Sequence, residues 1–245
     1  MKKAFHLFAV VMCSVLMLAV VSCQEKDNPE KKSTSEKKST SEEKSDNISS
    51  SQLQAVDLGL PVKWANMNVG ATKPEEYGDY FAWGETSPKT TYTWSTYFDT
   101  KDGGETFIKY NNKNKMITLD IEDDAAHVNL GGDWRMPTEE DFAQLCSGCD
   151  WTWTTKNGVW GAVISSRRNS NSIFLPAAGC REYSSLYDYG SYGDYWTSSF
   201  SESSSVPIEI RFCDGDGRTS VYMFTIYPWA RYIGYSVRAV CPQPQ

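Results

Sequence analysis

The chain has 245 residues, a formal net charge of -7, nine tryptophans and seven cysteines. An acidic balance argues against nucleic acid as a partner, because phosphate binding draws on clustered Lys and Arg. The length suits one ordinary domain with a sizeable core plus appended segments.

The amino-terminal end reads as a targeting segment. Lys2 and Lys3 precede an apolar run, residues 4–21, that closes on Val20-Val21-Ser22-Cys23. The run is long enough to resemble a membrane span, but small and branched residues before a cysteine suit a peptidase that cuts ahead of a lipidated thiol. Residues 1–22 are therefore expected to be a lipoprotein signal peptide, with Cys23 the first, lipid-modified residue of the mature chain. Acyl chains contribute about 0.8 kcal/mol per buried methylene, so two or three would hold the chain on a bilayer almost permanently. Residues 23–52 repeat Lys31-Lys32-Ser33-Thr34-Ser35-Glu36 as Lys37-Lys38-Ser39-Thr40-Ser41-Glu42 and contain almost nothing apolar. Such a segment cannot offset the entropy of ordering it, which makes it a disordered tether reaching on the order of 30 Å.

Residues 53–245 hold all nine tryptophans and read as one domain. Val56, Leu58, Leu60, Val62 and Trp64 alternate with polar or turn residues, as do Val206, Ile208, Ile210 and Phe212, so each stretch is expected to be a strand with one core face. Further strands are expected at 158–166, 171–175, 219–227 and 235–241, and Pro61 and Pro207 suggest edges or strand starts. Thr138 followed by Glu139-Glu140-Asp141 predicts a capped helix running to about Gly148. A shorter helix is expected from about Glu122 through His127. Many strands with few helices imply an α+β domain.

Several residue groups invite chemistry. Cys146 and Cys149 form a C-x-x-C pair, but it lies at the end of a predicted helix, where the dipole does not stabilise a thiolate; a buried face with Phe142 and Leu145 is the better reading. With Cys180, Cys213 and Cys241 the domain has five cysteines, an odd number whose pairing stays open. His127 is the domain's single histidine, so neither a zinc site nor a triad is expected, and a structural histidine bonded to a nearby carboxylate fits better. Asp120, Glu122, Asp123 and Asp124 suit a solvated helix start better than a glycosidase pair. Asp214-Gly215-Asp216-Gly217 suits a hairpin turn better than a calcium loop, because Arg218 occupies a place that needs an oxygen. No cofactor or metal is expected.

Four ordered blocks carry a resemblance. They are the run from Gly131-Gly132-Asp133-Trp134-Arg135-Met136-Pro137-Thr138 to Phe142, then Phe174-Leu175-Pro176-Ala177-Ala178-Gly179, Gly193-Asp194-Tyr195-Trp196-Thr197-Ser198-Ser199 and Gly234-Tyr235-Ser236-Val237-Arg238. Together they resemble the Fibrobacter succinogenes major paralogous domain family, which is abundant in surface lipoproteins of Bacteroidetes. More remotely, Arg135 to Glu139 and Gly234 to Arg238 are similar to blocks of formylglycine-generating enzymes and of retroelement-diversified C-type-lectin-like proteins. The resemblance implies a C-type-lectin-like fold, which by itself assigns no chemistry. Cys180, Cys213 and Cys241 stand outside any version of the copper-binding cysteine pair, and the calcium-dependent sugar motifs Glu-Pro-Asn and Trp-Asn-Asp are missing. Glu25 and Asp27 resemble surface-export signals, which places the expected anchor in the outer membrane.

The C-terminal third is rich in tyrosine, serine, glycine and aspartate, a mixture that recognition loops use. Tyr195 and Trp196, inside a family block, are expected in the core. Tyr183, Tyr187, Tyr189, Tyr192, Asp194, Tyr222, Tyr227 and Trp229 are the candidate ligand-binding residues, although core positions stay open for Tyr187, Tyr189, Tyr192 and Trp229. The sequence thus points to a non-catalytic, membrane-anchored binding module for a glycan or protein ligand. The alternatives are an accessory or tip subunit of a surface assembly and, last, an enzyme of the formylglycine-generating type.

Overall fold

The computed structural model describes residues 53–103, 106–111, 113–114, 116–201, 206–215, 218–225 and 230–243. The expected signal peptide, Cys23 and the tether lie outside the described residues, as do Tyr227 and Trp229. The chain divides into two units, Met1–Asn47 and Ile48–Gln245, and the described residues belong to the second.

In chain order the elements are β1 (Ala55–Val56), β2 (Val62–Ala65), β3 (Tyr80–Phe81), α1 (Ala125–Leu130), α2 (Glu139–Gly148), β4 (Cys149–Lys156), β5 (Val159–Ser166), β6 (Ser172–Pro176) and β7 (Cys180–Glu182). There follow β8 (Ser185–Tyr187), β9 (Tyr192–Ser201), β10 (Val206–Gly215), β11 (Arg218–Thr225), β12 (Tyr235–Ser236) and β13 (Val240–Pro242). A five-stranded sheet has the order β11-β10-β9-β12-β3, beside two three-stranded sheets, β1-β2-β13 and β4-β5-β6, and the hairpin β7-β8. Mixed sheets with two short helices make this an α+β domain.

β9 is the inner wall of the molecule. Successive strand residues point to opposite faces, and here both faces are covered. Tyr195 belongs to a core with Trp64, Phe142, Ile164, Ile210 and Phe212, whereas Trp196 belongs to a second core with Phe81, Trp83, Met136, Phe200 and Tyr235. The polar ends of the aromatics are bonded: the Tyr195 hydroxyl donates to the Pro176 carbonyl at 2.8 Å, and Trp196 Nε1 donates to the Phe81 carbonyl at 2.8 Å. Gly193 lies opposite Phe212, and a Cβ there would come within 2.2 Å of that ring, so only glycine fits.

The carboxy-terminal strand breaks where the sequence suggests continuity. Val56 to Trp64 is two strands, because Gly59 takes φ 70° in a turn whose amide donates to Asp57 Oδ1 at 2.7 Å. Residues 235–241 likewise divide between two sheets, β12 pairing with β3 and β9 and β13 pairing with β2. Arg238 occupies the crossing, fully buried, donating from Nε to Asn68 Oδ1 at 2.9 Å, from Nη1 to the Ala65 carbonyl at 3.0 Å and from Nη2 to the Phe174 carbonyl at 2.9 Å.

The longer helix begins where expected. The Thr138 hydroxyl accepts the Asp141 amide at 3.2 Å while Asp141 Oδ2 accepts the Thr138 amide at 2.8 Å, and Arg135 pairs with Asp141 at 2.7 Å. The shorter helix starts later than expected, because the Asp124 side chain caps it by accepting the His127 amide at 2.9 Å, and a 3-10 turn precedes it at Ile121–Asp123. Pro207 lies at a strand start, the second residue of β10, and not on an edge strand, since β10 runs between β9 and β11. The sheet tolerates it because the register with β9 shifts between Pro207 and Glu209 and pairing with β11 starts only at Ile208. Gly215 pairs with Arg218 where β10 meets β11, and Asp216 and Gly217 of the expected turn lie outside the described residues.

Replacing Arg238 by Met keeps the apolar stem but strands three buried acceptors, each costing about 1–3 kcal/mol. The variant is expected to lose roughly 3 kcal/mol or more in urea unfolding followed by tryptophan fluorescence. A loss below about 1 kcal/mol would mean that the acceptors find other donors.

Candidate ligand-binding face

The hairpin β7-β8 and the turn after it carry the exposed tyrosines. Tyr183 is locked into the fold by its backbone, its amide donating to the Tyr92 carbonyl at 2.9 Å and its carbonyl accepting the Tyr92 amide at 2.8 Å. Tyr183 at φ 53° and Asp188 at φ 59° adopt left-handed conformations that non-glycine residues seldom take. Both bound the short β8, so the strain lies in the two bends that turn this hairpin outward. The Asp188 carbonyl then accepts the Ser191 and Tyr192 amides at 3.1 and 2.9 Å, closing the turn. Gly179, at φ 60°, leaves space beneath, since a Cβ there would come within 2.0 Å of the Tyr187 carbonyl.

The result is a row of rings in solvent: Tyr183 is 57% exposed, Tyr187 46%, Tyr189 58% and Tyr192 37%. Beside it, Tyr232 is anchored rather than free, its hydroxyl donating to Glu182 at 2.6 Å and its ring packing on Trp94 at 5.0 Å.

A second part of the face lies on the central sheet. Residues opposite one another across antiparallel strands share a face, and Arg211 of β10 is opposite Asp194 of β9 and Tyr222 of β11. The Arg211 guanidinium pairs with Asp194 at 2.6 Å and lies 5.3 Å from the centre of the Tyr192 ring. Arg211 thus braces Tyr192 from below, on the side of the sheet that also presents the half-exposed Tyr222.

Asp194 differs from its expected role. It is fully buried, so it holds Arg211 instead of meeting solvent. The reason is its place within the two-sided strand β9, where only Tyr192 at the start of the strand escapes cover. Of the eight candidate residues, the structure exposes Tyr183, Tyr187, Tyr189, Tyr192 and Tyr222 and buries Asp194. Tyr227 and Trp229 lie outside the described residues.

Beneath the face is an acid that sequence reasoning missed. Glu209 sits two residues along β10 from Arg211, 4% exposed, with the Tyr235 hydroxyl as hydrogen-bond partner. Among the described residues, Glu209 Oε2 and Asp194 Oδ2 are both buried without a hydrogen-bond partner. Burial first, and the Asp194 charge second, push the Glu209 carboxyl up to about 8. The only sequence signal was a charged residue between Ile208 and Ile210, which reads as an outward face; its burial depends on Trp196 and Tyr235 arriving from other strands.

The other groups singled out in the sequence serve the fold. Lys109 draws in Asp120, Glu122 and Asp123 at 2.7, 3.1 and 2.7 Å, so the three carboxylates gather around one ammonium group. The His127 ring nitrogen Nδ1 lies 3.2 Å from the Trp134 carbonyl, a backbone partner in place of the expected carboxylate. Asp124 instead clamps the Met136 amide at 2.8 Å. All five described cysteines are free thiols; burial pushes Cys146 up to about 11 and Cys180 up to about 12. Among the described residues no group of three or more His, Cys, Asp or Glu is placed to hold a metal ion. A hollow of about 410 Å³ is lined by Leu130, Gly131, Gly132, Asp133, Trp134 and Cys241, and none of the exposed tyrosines borders it.

Comparison of the chain with family models, with curated proteins and with solved structures finds no match in any of the three.

Glu209 keeps its proton in the folded chain up to about pH 8, whereas an unfolded glutamate releases it near 4.5. Its contribution to stability is complete below the unfolded value, declines as pH rises through the interval and is gone above about 8. Wild type is expected to lose stability relative to Glu209→Gln across that window, by at most about 1.4 kcal/mol per pH unit. Unfolding of both proteins across pH checks this; a pH-independent difference would refute it.

Proposed function

We propose that this chain is a non-catalytic cell-envelope lipoprotein, held in the outer membrane by lipidated Cys23, whose folded domain is a C-type-lectin-like ligand-binding module. The tether of residues 23–52 lifts the module from the bilayer. Ligand, a glycan or a protein, meets the face formed by Tyr183, Tyr187, Tyr189, Tyr192 and Tyr222.

The observation that carries this reading is how sharply neighbouring aromatics part company. Tyr195 and Trp196 are wholly buried, while the four tyrosines from 183 to 192 stand in solvent on a hairpin with two left-handed bends. Large apolar rings are costly to leave in water, and a row of them on a strained support marks a surface that works by contact. Tyrosine is suited to it, since its ring supplies area at small entropic cost and its hydroxyl supplies a hydrogen bond. The resemblance of four sequence blocks to the major paralogous domain family supports the module assignment. The absence of catalysis is supported by the engagement of the candidate acids with Lys109 and of the histidine ring with a backbone carbonyl.

A role as accessory subunit of a surface assembly is favoured by one feature. β11 is the hydrogen-bonding edge of the five-stranded sheet and shows Tyr222 and Met223 to solvent. Such an edge can accept a strand from a neighbour.

Cys23→Ser is expected to abolish incorporation of labelled palmitate and to release the chain from the membrane fraction; undiminished labelling would remove the anchor from the proposal. Tyr187→Ala and Tyr189→Ala should each weaken ligand binding by roughly tenfold, with thermal unfolding within about 1 kcal/mol of wild type. Glycan arrays and co-purification from cell lysate identify the ligand class, and unchanged affinity in both variants would overturn the site.

A further inference from the structure

The hairpin β4-β5 ends in a pair of tryptophans that the proposed face does not include. Trp153 and Trp160 stack with ring centres 6.0 Å apart and planes 14° from parallel, and Trp160 is 47% exposed. Trp153 is held from below by Phe212 at 6.3 Å, so the pair is the overhanging end of the first core. At the tip, Asn157 takes φ 49° and donates from Nδ2 to Glu75 Oε1 at 2.7 Å. Lys156 and Lys73 lie close enough to act on Glu75, whose carboxylate offsets one of their two charges.

Backbone hydrogen bonds join this pair to the tyrosine turn. The Trp160 carbonyl accepts the Ala177 amide at 2.8 Å, and the Ala177 carbonyl accepts the Gly190 amide at 2.7 Å. Two interstrand spacings, on the order of 10 Å, therefore separate the backbones at Trp160 and Tyr189. The exposed aliphatics Ile117 and Ile121 belong to the opposite end of β9, where the Phe200 amide donates to the Ile117 carbonyl. Ile117 is eight residues along that strand from Tyr192, on the order of 25 Å away.

We propose that Trp160, stacked on Trp153, extends the tyrosine face into an aromatic platform for a neutral saccharide chain. This rests on the ligand-binding reading of that face. A sugar ring offers a flat array of C–H groups that packs on an indole or phenol face, and hydroxyls at its rim that bond to tyrosine, threonine and asparagine. Near Trp160 the exposed rim is Thr155, Lys156 and Asn157, polar side chains suited to such hydroxyls. The single uncompensated lysine charge beside Glu75 falls short of the cation cluster that an acidic polysaccharide would draw on, which favours an uncharged ligand. The spacing, about twice the length of one hexose unit, suits two sugar units separated by a third, one on Trp160 and one on Tyr189.

The test is affinity electrophoresis and tryptophan-fluorescence titration of the full-length chain with neutral gluco-, xylo- and manno-oligosaccharides. Trp160→Ala should lower affinity about tenfold and Trp160→Tyr, which keeps a flat ring, by less than about threefold, both with near wild-type unfolding. Loss of binding in Tyr189→Ala but not in Trp160→Ala would sink the platform while the tyrosine face stands. Binding of a protein but of no neutral oligosaccharide would overturn the saccharide assignment alone. Saccharide binding untouched by Trp160→Ala, Tyr187→Ala and Tyr189→Ala would overturn both.

Discussion

Arg238 carries a charge in the driest part of the domain, and three neutral oxygens from three separate segments hold it there. Burial lowers its pKa to about 10, which still leaves it protonated near neutral pH. A guanidinium can serve such a place because its planar fork aims donors in several directions at once. Asn68 extends the network, accepting from Arg238 and donating to the Tyr77 carbonyl and the Tyr195 hydroxyl. The chain changes sheets at this point, and without these bonds the junction of β2, β6 and β12 would leave carbonyls buried and unpaired.

The junction explains the sorting of the aromatic residues. Because β12 and β13 belong to different sheets, a core forms on each side of β9, and the strand is buried on both faces. A tyrosine within it must be internal, whereas one in the hairpin and turn just before it need not be. The boundary falls at Tyr192 and Gly193: one ring lies over Arg211 at the surface, and the next position has no side chain because Phe212 fills the space. The same geometry converts Asp194 from a candidate ligand contact into a brace. Its carboxylate spends its charge on Arg211, and Arg211 in turn supports the Tyr192 ring.

Buried polar groups cluster directly beneath this surface. Asp194, Glu209 and Arg211 form a network in which two buried carboxylate oxygens, Asp194 Oδ2 and Glu209 Oε2, have no hydrogen-bond partner. Such a network is costly, and a Glu209 that keeps its proton limits that cost by adding no negative charge beside Asp194. Stability and the shape of the candidate face are therefore linked through strand β10, which carries both Glu209 and Arg211.

Local chemistry made parts of this protein readable in its sequence. The Thr138 cap with its acidic first turn and the alternation through Ile208, Ile210 and Phe212 depend on neighbours a few residues apart. The Tyr, Ser, Gly and Asp mixture of residues 183–192 likewise pointed to exposed rings, and the four tyrosines there stand in solvent. Burial of Asp194 and Glu209, the break at Arg238 and the pairing of Trp153 with Trp160 depend on segments distant along the chain. Only tertiary structure could decide these, because strand alternation states that a side chain has a face but not what arrives to cover it.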